Sequence, residues 1–173
     1  PALLQQLNHE KGKVRRAALD VIASFRAEEA VDGLLNRVAV TTSPGWASAL
    51  FRTALRSAKQ RQSDIARAFL ADPGAMLHPS VAASNLVGFL VPVIRTLRNE
   101  RDPSVVPGLI ALLQSPVKDV RELAEAALED ITSHAVEVPA DMKEENARAH
   151  LVAGWQALWT TNQDQPWADW TCH

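Results

Sequence analysis

A chain of 173 residues with 47% hydrophobic and 22% charged side chains has the proportions of a soluble globular protein, and its 28 alanines with no tyrosine favour closely packed helices. Cys172 is the sole cysteine, which excludes an intramolecular disulfide or a thiolate cluster, and the longest apolar run, 81–97, is broken by Ser84, Asn85, Pro92 and Arg95, which excludes a helical membrane span. The net charge of −2 hides a division: through Arg101 there are 14 Lys and Arg against 8 Asp and Glu, and from Asp102 onward 4 against 12, a polarity that can orient a partner.

The first predicted unit, residues 1–25, pairs a leading helix over 1–8 with a second over 13–25, joined by His9-Glu-Lys-Gly12. In the second helix Val14, Ala17, Ala18, Val21, Ile22 and Phe25 fall on one face, leaving Arg15, Arg16 and Asp20 off it. The second unit, 27–59, places Val31, Leu34, Leu35 and Val38 on a leading helix, turns at Thr41–Gly45, and repeats the stripe as Ala47, Leu50, Phe51, Ala54, Leu55 and Ala58. Arg52, Arg56 and Lys59 share the opposite side.

The third unit, 62–100, is less regular. Ser63 or Asp64 is expected to cap a helix that ends before Ala71-Asp-Pro-Gly74, and a second helix resumes from Pro79 with the stripe Leu86, Phe89, Leu90, Val93, Ile94 and Leu97. Pro92 lies inside that run and is expected to kink or split it. The fourth unit, 103–132, starts its leading helix at Asp102 or Ser104 and its second at Ser115-Pro116. After a loop over 134–140, Asp141-Met-Lys-Glu144 reads as a capping box opening a C-terminal capping helix, 141–160, with Leu151, Trp155 and Leu158 on one face. A polar, tryptophan-bearing tail, 161–173, follows.

Residues 1–25 and 107–131 overlay without a gap: Leu3, Leu4 and Leu7 meet Leu109, Ile110 and Leu113, and Val14, Ala18 and Ile22 meet Val120, Ala124 and Leu128. One helical hairpin cannot bury both of its stripes, so copies must stack. The expectation is an all-α array of about four hairpins plus the capping helix, forming one domain over 1–160, with the second helices lining one side. The repeat phase is already running at Pro1, as in a processed or excised piece of a longer chain, and leaves the compartment open between cytoplasm and periplasm or exterior.

Lys11, Lys13, Arg15, Arg16, Arg52, Arg56, Lys59, Arg61, Arg95, Arg98 and Arg101 recur on or beside the second helices of three successive units. Such a stripe could follow a phosphate backbone or an acidic protein surface, or could be an ordinary solvated face interrupted by Asp20, Asp64 and Glu100. Among the five tryptophans, Trp167 and Trp170 are candidates for a docking anchor or for folding back over the end of the array. The histidines, His9, His78, His134, His150 and His173, lack metal-ligand spacing, and no phosphate loop or nucleophile elbow is present, so neither cofactor, metal nor catalytic residue is assigned.

Pro116-Val-Lys-Asp119-Val120-Arg121-Glu-Leu-Ala124-Glu-Ala-Ala127-Leu128 resembles the second helix of a HEAT repeat, with Asp119, Val120, Arg121, Ala124 and Leu128 on the family's characteristic positions; in the first unit Lys13 stands where the family has Asp. The segments Leu128-Glu-Asp-Ile131-Thr132 and Trp155-Gln-Ala-Leu-Trp159 are similar to the close of some bacterial HEAT arrays. The resemblance implies a right-handed α-α superhelix serving as a non-catalytic protein-binding or scaffold module. Arg15, Arg16, Arg52, Arg56, Lys59, Arg95, Arg98, Trp167 and Trp170 are the expected contact residues, toward another protein or domain with an acidic surface. Nucleic-acid binding through the same basic residues is the alternative, followed by a HEAT-like lyase or glycosylase, which would need a concave pocket with a raised-pKa carboxylate and aromatic walls. Oligomeric state is left open.

Overall fold

The computed structural model describes residues 2–83 and 86–164, apart from the side chain of Glu145. Among them every regular element is helical and none is a strand. The chain divides into two compact units, Pro1–Pro92 and Val93–His173, the division falling within the third expected repeat.

The first unit runs α1 (Ala2–Gln6), α2 (Gly12–Phe25), a 3-10 turn into α3 (Val31–Val40), α4 (Pro44–Ser57), a second 3-10 turn into α5 (Gln62–Ala71), the short α6 (Pro73–Met76) and α7 (Pro79–Ala82), and the start of α8 (Val87–Arg98). Pro44 opens α4 in the first turn, where its missing N–H is not needed. The expected six-position stripe of α4 is buried throughout, and Ser48, Ala49, Thr53 and Ser57 are buried with it, because α4 packs on α2, α3 and α5. Phe51, Phe69 and Phe89 close the interior, their ring centroids 4.7–5.7 Å apart. Gly33 lets α1 approach α3: a Cβ there would lie 2.7 Å from Leu4 Cδ1, and Arg37 of α3 donates to the Leu4 carbonyl at 2.7 Å.

Several sequence expectations are corrected in this unit. On α2 Ala18 and Ile22 are buried and Val14 half-buried, but Ala17, Val21 and Phe25 are exposed, Phe25 by 79%, and Leu19 is buried instead. The helix packs on α1 and α4, which leaves Phe25 largely open to solvent and Val21 38% exposed. Helix α5 starts at Gln62, carried in by the preceding 3-10 turn, so neither Ser63 nor Asp64 caps it; Asp64 accepts from Arg67 at 2.7 Å. The expected helix from Pro79 is interrupted between α7 and α8, and Pro92 does not split α8. Proline has no N–H for the carbonyl four residues back, Gly88, and Ser48 Oγ of α4 donates to that oxygen at 3.1 Å.

The second unit comprises the rest of α8, a 3-10 turn capped by Asp102, which accepts from the Ser104 N–H at 2.9 Å, then α9 (Val106–Leu112), α10 (Lys118–Thr132) and α11 (Glu144–Asn162). Helix α9 packs against both α10 and α11. Leu109, Leu113, Val120, Ala124, Ala127, Leu128, Ile131, Leu151, Val152 and Trp155 are buried in its interior, Trp155 being 1% exposed. Leu158, expected on the same face, is half-buried. Ser133 ends α10 in the left-handed region at φ 57°.

Helix α10 begins two residues beyond Pro116, with Ser115 Oγ accepting from the Val117 N–H. The expected capping box is absent: Lys143 occupies the N-cap without a side-chain bond, and Glu144 reaches Arg121 at 3.5 Å and Arg148 at 3.9 Å. Helix α11 also continues past 160, into the expected tail. Gly154 admits the connector before it, since a Cβ there would stand 2.5 Å from Val136 Cγ1.

Candidate functional site

The basic residues divide by what their side chains touch. Arg15 is half-buried: its Nη1 donates to the carbonyls of His9 and Glu10 at 2.8 and 2.9 Å, and its guanidinium lies 5.9 Å from the centre of the Trp46 ring. Its counterpart Arg121 donates from Nη1 to Ser115 and Pro116 at 2.9 and 3.1 Å. In both copies the arginine therefore ties the second helix to the connector before it. Lys59 stands 3.7 Å from Glu28, and Arg98 is hydrogen-bonded to Asp130.

Arg16, Arg52, Arg56 and Arg95 are different. All four are exposed and make no hydrogen bond or ion pair with any described residue. Arg56 lines a hollow of about 460 Å³ in the first unit together with Ala23, Ser24, Arg26 and Gln62. Arg95 lines a hollow of about 590 Å³ in the second unit with Arg98, Asn99, Arg101 and Asp130. Each hollow thus gathers arginines at the C-terminal ends of second helices, where cations complement the partial negative charge of exposed carbonyls.

Arg26 escapes a reading built on the apolar stripe because it lies one residue past the end of α2, at φ 45°. Continuing the repeat register beyond the helix end would find it, since it falls opposite Lys59 and Arg98. Arg61 donates to Asp32 at 2.8 Å and holds that exposed carboxyl below its ordinary range. Trp167 and Trp170 lie outside the described residues.

A third hollow, of about 370 Å³, lies beside α10 and α11. Glu125 lines it, its carboxyl raised above the ordinary range by burial and then by the charges of Glu129 and Glu122. Leu113, Val138, Ala147 and Leu151 supply the apolar part of the wall, with no aromatic ring among the lining residues. Among the described residues no group of three or more His, Cys, Asp or Glu is placed to hold a metal ion, and no helix is long and apolar enough to cross a membrane.

Comparison of this chain with protein-family models, curated proteins and solved structures finds no match.

Proposed function

We propose that this chain is a non-catalytic interaction module of the HEAT type, its helical pairs stacked in a right-handed superhelix and its second helices presenting arginines to an acidic surface of another protein or domain. The observation carrying this reading is the set of exposed guanidiniums without a partner among the described residues, at Arg16 on α2, Arg52 and Arg56 on α4 and Arg95 on α8. A cation already paired on the surface gains little from a new partner, whereas an unpaired one contributes to steering and register when an acidic surface approaches. The HEAT element of the reading is supported by the matching roles of Arg15 and Arg121 and by the packing of α2 on α4, second helix on second helix.

A competition experiment separates a protein partner from nucleic acid. The whole chain is titrated with a fluorescent glutamate-rich peptide, then challenged with duplex DNA at about 50 and about 200 mM salt, concentrations between which multi-phosphate binding collapses. Peptide binding that survives the DNA supports the module; DNA displacing the peptide at low salt and losing affinity steeply at high salt would overturn it.

A further inference from the structure

The hollow at the C-terminal end of α8 has a charge balance that the helix end alone does not explain. Of its three arginines, Arg98 is met by Asp130 from α10, while Arg95 and Arg101 are exposed and have no partner among the described residues. A helix C-terminus favours cations. It does not account for one guanidinium finding a carboxylate while two beside it are left open around about 590 Å³ of space.

Among the lining residues three arginines stand against Asp130, an excess of two positive charges comparable to the charge of about −2 carried by a phosphate monoester at neutral pH, while Glu100 and Asp102, beside Arg101 in sequence, are not part of the lining. Guanidinium forks fit phosphate oxygens in pairs, and the Asn99 amide adds a neutral donor. A nucleic-acid backbone fits less well, because α10 exposes Asp119, Glu122, Glu129 and Asp130, and a chain of phosphates leaving the hollow along that helix would meet carboxylates.

We propose that Arg95, Arg98, Asn99 and Arg101 form a binding site for a phosphomonoester dianion, carried as phosphoserine on the partner segment. The site rests on the acidic-partner reading and gives it a chemical identity. Arg98 is held by Asp130, and Arg95 and Arg101 close on the phosphate oxygens from α8 and the turn after it.

Calorimetry on the whole chain tests this with two peptides of one glutamate-rich sequence, one bearing a central phosphoserine and one the unmodified serine. The phosphopeptide is expected to bind at least about tenfold tighter at pH 7.5, with the advantage shrinking at pH 5.5 as the phosphate, with its second pKa of about 6, takes up a proton. Because both residues are exposed and have no partner among the described residues, R95A/R101A should keep the melting temperature and lose the advantage; R95K/R101K, which keeps charge without the fork, should retain part of it. Inorganic phosphate in excess should displace the phosphopeptide down to the affinity of the plain peptide. Equal affinity for the two peptides overturns the phosphate site and leaves the acidic-partner reading standing, and binding of neither overturns both. Displacement of the phosphopeptide by duplex DNA but not by phosphate overturns it in favour of a nucleic-acid backbone.

Discussion

Ser48 donates its hydroxyl to the Gly88 carbonyl at 3.1 Å, the acceptor for which Pro92, four residues further along α8, has no N–H. Gly88 makes the approach possible, since a Cβ there would stand 2.6 Å from Ser48 Oγ. A side chain from α4 thereby replaces a helical hydrogen bond that the sequence of α8 forbids. Ser48→Ala is expected to lower unfolding stability by about 1–2 kcal/mol in urea titration, since it leaves a carbonyl unserved. In a Pro92→Ala background, where residue 92 regains its N–H, the same substitution should cost measurably less. Equal costs in the two backgrounds would refute the replacement.

Arg15 and Arg121 bind the two connectors alike, so their removal should have like effects. Arg15→Ala and Arg121→Ala are each expected to cost about 1–2 kcal/mol by urea titration, toward the low end for hydrogen bonds made by a charged donor because most of these bonds are exposed. Arg121, 15% exposed and also near Glu144, should show the larger loss. Lysine at either site carries the charge without the planar fork and should rescue only partly. An unchanged urea midpoint would show that these bonds hold nothing together.

Gly154 and Val136 are coupled through space. Gly154→Ala brings a methyl group to within 2.5 Å of Val136 Cγ1, and a β-branched side chain yields poorly, so the substitution should destabilise by about 1–3 kcal/mol although alanine is the better helix former by about 1 kcal/mol. Adding Val136→Ala should recover part of that loss in thermal melts. Stabilisation by Gly154→Ala alone would mean that the connector over 133–143 does not lie against α11.

Glu125 gives stability a dependence on pH. Burial and its acidic neighbours raise its carboxyl pKa in the folded state, so the folded chain holds that proton more tightly than the unfolded chain does. Its contribution therefore favours folding at low pH and is lost as pH rises from the ordinary carboxylate value through the raised folded one. Glu125→Gln should make the protein more stable at pH 7 and flatten this part of the profile in urea titrations across the mildly acidic range. A substitution that leaves the slope unchanged would remove Glu125 as its source.

The all-helical character is legible because Ala47, Leu50, Phe51, Ala54, Leu55 and Ala58 follow helical spacing, and all six of those residues are buried. Periodicity reports that a face is apolar without reporting what covers it. On α2 the same spacing includes Val21 and Phe25, which stand exposed. Caps are misread for a related reason: Ser63 and Asp141 have the right chemistry, but α5 is entered through a 3-10 turn and α11 begins at Glu144. The basic residues are legible as a recurrence along the chain. Which are free is not, because Arg15 and Arg16 are neighbours in sequence, yet one folds back onto its connector while the other stays in water. The hollow at Arg95 also needs Asp130 from another helix, a juxtaposition that no local pattern encodes.

The most direct test of the interaction reading is the affinity of the whole chain for a glutamate-rich peptide, measured by fluorescence anisotropy from about 50 to about 200 mM salt, over which surface charges become progressively screened. Wild type should bind and weaken steadily as salt rises, and R16A/R52A/R56A/R95A, with the same melting temperature, should lose both the binding and its salt dependence. Binding that ignores salt, or that survives removal of the four arginines, would contradict the account.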